Sequence, residues 1–171
     1  MPSYTLRTRD GSTHSIHFPE ALYSVTAAAN PEFKTTRYRF RYESFVTPDS
    51  VFEYDMRTRR LTLLKRAEVL GGFDAARYRV KRIFAAAADG TRIPVSLVYK
   101  KGLRRDGRHA LLLEGYGAYG ISFPVAFSAD RLSLLERNVS YAVAHVRGGG
   151  EICSTLTFVS ACSYYVNTAC A

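Results

Sequence analysis

The chain has 171 residues, 47% of them hydrophobic, with 24 basic against 15 acidic side chains and a net charge of +9. That length is enough for one domain, and the apolar fraction with only six prolines reads as globular and excludes a disordered chain. No apolar run approaches the ~18 residues of a membrane span.

Met1 to Arg9 lacks the apolar core of a signal peptide, so a cytoplasmic location without a membrane partner is expected. The positive charge would suit an acidic partner, but the basic residues are scattered. Their tightest group is Lys100, Lys101, Arg104, Arg105 and Arg108, and no aromatic platform accompanies it. It reads as a solvated connection, and no nucleic acid is expected. Cys153, Cys162 and Cys170 form no CxxC pair and no histidine follows them, which argues against a zinc site. An odd cysteine count also argues against a disulfide framework. No metal or cofactor is expected.

Residues 1 to 66 read as short strands punctuated by turns. Thr36 to Tyr42 alternates strictly, with Tyr38, Phe40 and Tyr42 on one face and Arg37, Arg39 and Arg41 on the other, as in a half-buried antiparallel strand. Pro48-Asp-Ser50 makes a turn into a strand over 51–56, and residues 57–60 turn into another over 61–64. Such a meander fits one blade of a β-propeller. No repeated unit of ~40 residues is visible, so at most one blade and part of another are present.

Residues 67–79, with Gly71-Gly-Phe-Asp74, read as a crossover into a second region. A hairpin follows, 80–88 and 91–99, hinged on Asp89-Gly90, a turn whose two positions should both take positive φ. The apolar run Ala110 to Leu113 is a buried strand that ends in Gly115, Gly117 and Gly120, with Tyr116 and Tyr119 among them. A buried strand entering a glycine loop with phenol donors is where open α/β sheets place their chemistry. An ordinary strand-ending turn reads equally well from this stretch alone. Ser128 offers an N-cap to a short helix over 129–137, with Leu132, Leu134 and Leu135 toward its buried side. Residues 139–146 are nearly all apolar, a strand covered on both faces.

Gly115-Tyr-Gly-Ala-Tyr-Gly120, residues 127–137 and His145-Val-Arg-Gly-Gly-Gly-Glu151 together resemble the prolyl oligopeptidase family of serine peptidases, most closely its oligopeptidase B branch. Thr47-Pro-Asp-Ser50, Gly72-Phe-Asp-Ala75, Asp89-Gly90 and Pro94 to Tyr99 fall in the family's order and spacing. The likeness covers most of residues 14 to 151 and stops at Glu151. It implies a β-rich α/β chain: the C-terminal end of a β-propeller over 1–66, the crossover over 67–79, and over 80–151 the N-terminal strands of an incomplete α/β-hydrolase catalytic domain.

The resemblance also implies a chemistry. Tyr116 matches the tyrosine whose hydroxyl donates to the developing oxyanion, a donor of the kind worth ~3–4 kcal/mol. The bland alternative for Tyr116 is a packing role with its hydroxyl on a neighbouring carbonyl. Gly115 and Gly117 would shape that loop, and Arg147 and Glu151 would serve substrate binding or loop architecture. The family's serine, acid and histidine all come later than Glu151, so the triad is expected to be absent. Gly120-Ile-Ser-Phe-Pro124 lacks the final glycine of a G-x-S-x-G elbow, which makes Ser122 a loop serine. His145, among alanines and valines, reads as a core histidine. Arg147-Gly-Gly-Gly-Glu151 lacks the Lys-Ser/Thr ending of a phosphate loop.

Short peptides cut after Arg or Lys are the substrates the branch implies, although Phe123-Pro-Val-Ala126 contains no acidic residue. A second reading, from a different class, is a non-catalytic β-rich binding module on the same scaffold. Residues 152–171 carry no charged side chain and match nothing in the family. A frameshift, mis-called exon or cloning junction in place of the true continuation is expected there, with a genuine divergent terminus as the alternative. With neighbouring blades and strands missing, the isolated chain is expected to self-associate, through an open edge on strand 139–146.

Overall fold

Alternation of aromatic and arginine side chains over residues 37–43 sends Phe40 and Tyr42 into a core and leaves Arg37, Arg39 and Arg41 exposed. The computed structural model describes residues 3–8, 11–32, 34–104, 106–149 and 166–167. The strands are β1 (Ser3–Arg7), β2 (Thr13–His17), β3 (Ser24–Ala27), β4 (Arg37–Glu43), β5 (Ser50–Asp55), β6 (Arg60–Arg66), β7 (Tyr78–Ala86), β8 (Arg92–Lys100), β9 (Leu111–Gly115), β10 (Ser140–Ala144) and β11 (Val166–Asn167). One α-helix, α1 (Ala129–Glu136), precedes β10. The chain divides into a unit of residues 1–73 with 125–127 and a unit of 74–124 with 128–171. Glu151, Arg105, the three cysteines and the tail reading lie outside the described residues.

In the first unit β3, β4, β5 and β6 form an antiparallel meander in that order, with Phe40 opposite Phe52 and a bulge between Val51 and Phe52. The β1–β2 hairpin is a separate two-stranded sheet. Its Ile16, with Phe18 just beyond it, joins Phe40, Tyr42 and Tyr54 in one buried cluster. The rings interlock: Phe18 lies 4.4 Å from Tyr42 and Tyr4 lies 5.8 Å from Phe40, centroid to centroid. A four-stranded antiparallel meander is the form of one propeller blade.

The other face of the meander is polar, with Arg37 and Arg39 paired across strands to Glu53 and Arg41 to Asp49. Beside the core, the Glu20 carboxylate accepts from the hydroxyls of Tyr42 and Thr47. Burial first, then that carboxylate, pushes the Tyr42 phenol upward in pKa. Val125 and Phe127 pack in the same unit, through Ser24 Oγ donating to the Val125 carbonyl at 3.0 Å and Phe73 meeting Phe127 at 5.2 Å.

The second unit is a mixed sheet in the order β11-β9-β10-β8-β7. A 3₁₀ turn, Ala75–Arg77, capped by Asp74 Oδ1 on the Ala76 N–H at 2.9 Å, leads into β7 at Tyr78. The β7–β8 turn differs from the expected two-residue form. Gly90 alone takes positive φ, +81°, and its N–H bonds the Ala87 carbonyl, while Ala87 pairs with Thr91. Residues 88–90 therefore make a three-residue loop, in which one left-handed glycine suffices and Asp89 is free to turn its carboxylate onto the Thr91 N–H.

Ser128 caps α1 by accepting from the Arg131 N–H at 3.3 Å, and Leu135 is the residue α1 buries fully. The helix stops at Asn138, whose φ of +64° lets Asn138 and Val139 donate back to Leu135 and Leu134. The following strand, β10, corrects the expected open edge. It lies between β9, to which it is parallel, and β8, to which it is antiparallel. Tyr141, Ala142 and Val143 are buried to 3% or less, as befits a central strand. Among the described residues the two ends of this sheet are β7, paired only with β8, and the short β11, paired only with β9. Among the described residues no helix is long and apolar enough to cross a membrane.

Candidate functional site

The site is built in the second unit at the ends of β9 and β10, two parallel strands whose exits lie side by side. Gly115 ends β9 directly opposite Ala144. A Cβ at Gly115 would sit 3.4 Å from the Ala144 carbonyl oxygen, an ordinary van der Waals contact. Beyond it the chain turns back at once. Ile121 donates to the Ala118 carbonyl at 3.0 Å, and the two residues between, Tyr119 and Gly120, take φ of +55° and +67°. Left-handed backbone at a tyrosine is uncommon and marks a held conformation. It leaves the Tyr119 ring 81% exposed.

The chain leaving β10 closes against this turn through its backbone. Gly120 donates to the Gly148 carbonyl at 2.8 Å, and the Ser122 hydroxyl donates to the carbonyl of Gly149. A Cβ at Gly117 would fall 2.3 Å from the Arg147 carbonyl oxygen, and one at Gly148 would fall 2.2 Å from that of Gly117. No side chain fits either position, which is the physical reason for glycine at both. The Gly149 amide bonds the Val146 carbonyl. These groups serve the interlock and do not form an anion cradle.

Arg147 points its exposed guanidinium outward to the hairpin turn, where it donates to the Asp89 carboxylate and reaches Thr91 Oγ1 at 3.5 Å. The Thr91 backbone N–H first, then Arg147, holds the Asp89 carboxyl down to about 2. Turn, glycine loop and second loop are thereby tied in series.

Within this frame the half-buried Tyr116 ring meets Phe123 edge-on, at 6.4 Å between centroids. Among the described residues its hydroxyl has no hydrogen-bond partner. An unengaged phenol donor stands on a loop fixed by backbone contacts. Gly115, Tyr116, Gly117 and Arg147 are thus brought together, while Glu151 lies outside the described residues.

The histidines stand elsewhere. His145 is 4% exposed, and its Nε2 lies 2.7 Å from Ser96 Oγ, itself fully buried. This serine–histidine pair is enclosed between β8 and the end of β10, where no substrate carbonyl could reach the hydroxyl. His14 faces Tyr54 in the first unit, and His109 lies 3.9 Å from Asp106. Among the described residues no three or more metal-ligating side chains cluster.

Two parts of the site escaped the sequence. The Asp89–Arg147 pair spans 58 positions and no local pattern announces it. Glu114, to which Tyr141 donates at 2.5 Å, carried a partial signal, a carboxylate closing an apolar run, but its partner lies 27 positions away.

Residues 3–67 match the family model described as prolyl oligopeptidase, N-terminal beta-propeller domain. The chain is 43% identical over 144 residues to a dipeptidyl aminopeptidase BI of Pseudoxanthomonas mexicana, covering 84% of this chain and 20% of that protein. It is 33% identical over 143 residues to protease 2 of Moraxella lacunata, covering 84% and 21%. Among solved structures, oligopeptidase B from Leishmania major superposes with a TM-score of 0.76 at 33% identity, over 88% of this chain and 22% of that one. The chain therefore spans about a fifth of the length of the relatives it matches. Propeller match, mixed sheet and glycine loops agree, and the chain belongs to the prolyl oligopeptidase family of peptidases.

Proposed function

We propose that the chain supplies the oxyanion side of a serine-type oligopeptidase acting on short peptides, and that residues 1–171 alone have no peptidase activity. One observation carries this reading: among the described residues the Tyr116 hydroxyl is unengaged, on a loop that Gly117 and Gly148 lock in place. A donor held before the reaction begins stabilises the charge on the transition-state oxygen without reorganising. Gly115 and Gly117 set the path of the loop, and Arg147 braces its partner loop against Asp89. Covalent catalysis needs an activated nucleophile. Ser122 is engaged with the Gly149 carbonyl and Ser96 is enclosed, so neither is assigned that role. Cleavage after Arg or Lys, and a cytoplasmic setting, belong to the same proposal.

The test has two arms. The chain is incubated with a fluorogenic Arg- or Lys-ended peptide and with a fluorophosphonate probe, and neither turnover nor labelling is expected. Stoichiometric labelling of a serine would overturn the claim of inactivity. The coding locus is then read past Glu151. In a protein that continues into a G-x-S-x-G serine, Tyr116→Phe should lower kcat by about 10²–10³-fold. An unchanged kcat would remove the oxyanion role, and a locus without such a frame would favour the binding-module reading.

A further inference from the structure

Three leucines, Leu111, Leu112 and Leu113, run along β9 and are followed by Glu114. A carboxylate at the end of an apolar strand loses hydration and is tolerated only with partners in place. The structure supplies them from two other elements. Alternation puts Leu112 and Glu114 on one face of β9. The parallel register sets Tyr141 of β10 opposite Leu112, so its ring leans forward along that face to Glu114. The Tyr141 hydroxyl donates to Glu114 Oε2 at 2.5 Å, and Tyr141 is 3% exposed. Above the ring lies the Arg131 guanidinium from the first turn of α1, 3.8 Å from the ring centroid.

Helix, central strand and β9 are thus stitched together one residue before Gly115. Burial raises the pKa of the Tyr141 phenol and lowers that of Arg131, which places both groups in a water-poor setting where a hydrogen bond to a carboxylate is strong. A fourth leucine would have avoided the desolvation of a carboxylate. What a leucine could not supply is a directional contact that fixes the azimuth of the strand end.

We propose that Glu114 is a positioning residue for Tyr116: held by Tyr141, whose ring lies under Arg131, it sets the direction in which β9 releases Gly115 and Tyr116, and so where the phenol points. The inference rests on the oxyanion reading of Tyr116, but its test does not depend on catalysis. Glu114 touches no substrate and acts only through the loop it starts.

Amide hydrogen exchange followed by mass spectrometry is measured on the chain and on Glu114→Ala, Glu114→Gln and Tyr141→Phe. Loss of the contact in Glu114→Ala or Tyr141→Phe should speed exchange across residues 115–120 about tenfold. Exchange over β8 and over the first unit should change little. Glutamine keeps a carbonyl that accepts from Tyr141, so Glu114→Gln should retain the native protection. Equal exchange over 115–120 in all four proteins would overturn the proposal. So would a uniform rise through the second unit, the mark of a merely structural role. Should Glu114→Ala fail to fold, Tyr141→Phe, which removes one oxygen, carries the same expectation. The two readings fail separately: a neutral Tyr116→Phe sinks the oxyanion role and leaves the exchange result standing. Unchanged exchange sinks the positioning role and leaves Tyr116 as donor.

Discussion

Gly117 and Arg147 approach so closely that a Cβ on the glycine would lie 2.3 Å from the arginine carbonyl oxygen and 2.6 Å from Val146 Cγ2. The first neighbour is backbone and cannot swing aside. Gly117→Ala must therefore part the two loops, at a cost of about 1–3 kcal/mol for overpacking. Gly120 is the contrast, with φ of +67° and nothing within 4 Å of a Cβ. Gly120→Ala should cost only the left-handed strain, about 1–2 kcal/mol. Limited proteolysis and amide exchange over 115–122 separate the cases: the loop opens in Gly117→Ala and stays closed in Gly120→Ala.

The first unit rests on its aromatic cluster, at whose centre Phe40 is fully buried against Tyr4, Phe18 and Phe52. Phe40→Ala removes a ring that its neighbours cannot collapse to replace, and should destabilise this unit by about 3–5 kcal/mol. Leu70, 89% exposed, is the control, and Leu70→Ser should leave the urea midpoint unchanged within error. Equal midpoints for Phe40→Ala and the parent would show that this cluster does not carry the fold.

The strands and the helix cap were legible because each is a local pattern. Alternation named the face of Phe40 and Tyr42, and Ser128 announced the start of α1. Sheet order was not legible. Nothing in residues 139–146 says that β9 will lie on one side and β8 on the other, because pairing is decided by contacts between distant segments. The same distance hid Asp89–Arg147 and the tie from Tyr141 to Glu114. For the candidate site, the glycines could be picked out by their spacing, while their reason, a backbone meeting a backbone, needed three dimensions. The two-residue turn at Asp89-Gly90 was misjudged because Asp-Gly serves two-residue and three-residue hairpins alike.

Acid should loosen the second unit at two exposed carboxylates. Thr91 and Arg147 depress the Asp89 carboxyl to about 2, and Lys100, Tyr78 and Arg77 depress that of Glu136 to about 2. A folded-state pKa below the unfolded value, ~4, means stability that is complete above the unfolded pKa and lost as pH falls toward 2. Thermal midpoints between pH 5 and 2.5 should fall in the parent. They should fall less steeply in Asp89→Asn and Glu136→Gln, which have no such carboxyl to protonate. A parent and variants with superimposable acid limbs would show that these pairs are screened to nothing.

The last expectation concerns association, and the structure moves its origin. The strand over 140–144 is enclosed by β8 and β9, so it offers no edge. Of the two end strands, β7 is the long one, nine residues, with Ile83 46% and Phe84 52% exposed. A long edge with apolar side chains is a template for another strand. Arg79, Lys81 and Arg82 lie along it, and among the described residues none of them has a charged partner. Like charges on two copies oppose pairing, and salt screens them within about 10 Å at 0.1 M. Size-exclusion chromatography should therefore show self-association that grows as salt is raised. Ile83→Lys adds a charge at a position already in water and should weaken association without lowering the thermal midpoint. A monomer at every salt concentration, unfolding in one sharp transition, would show that this edge is sufficiently guarded by its own cations.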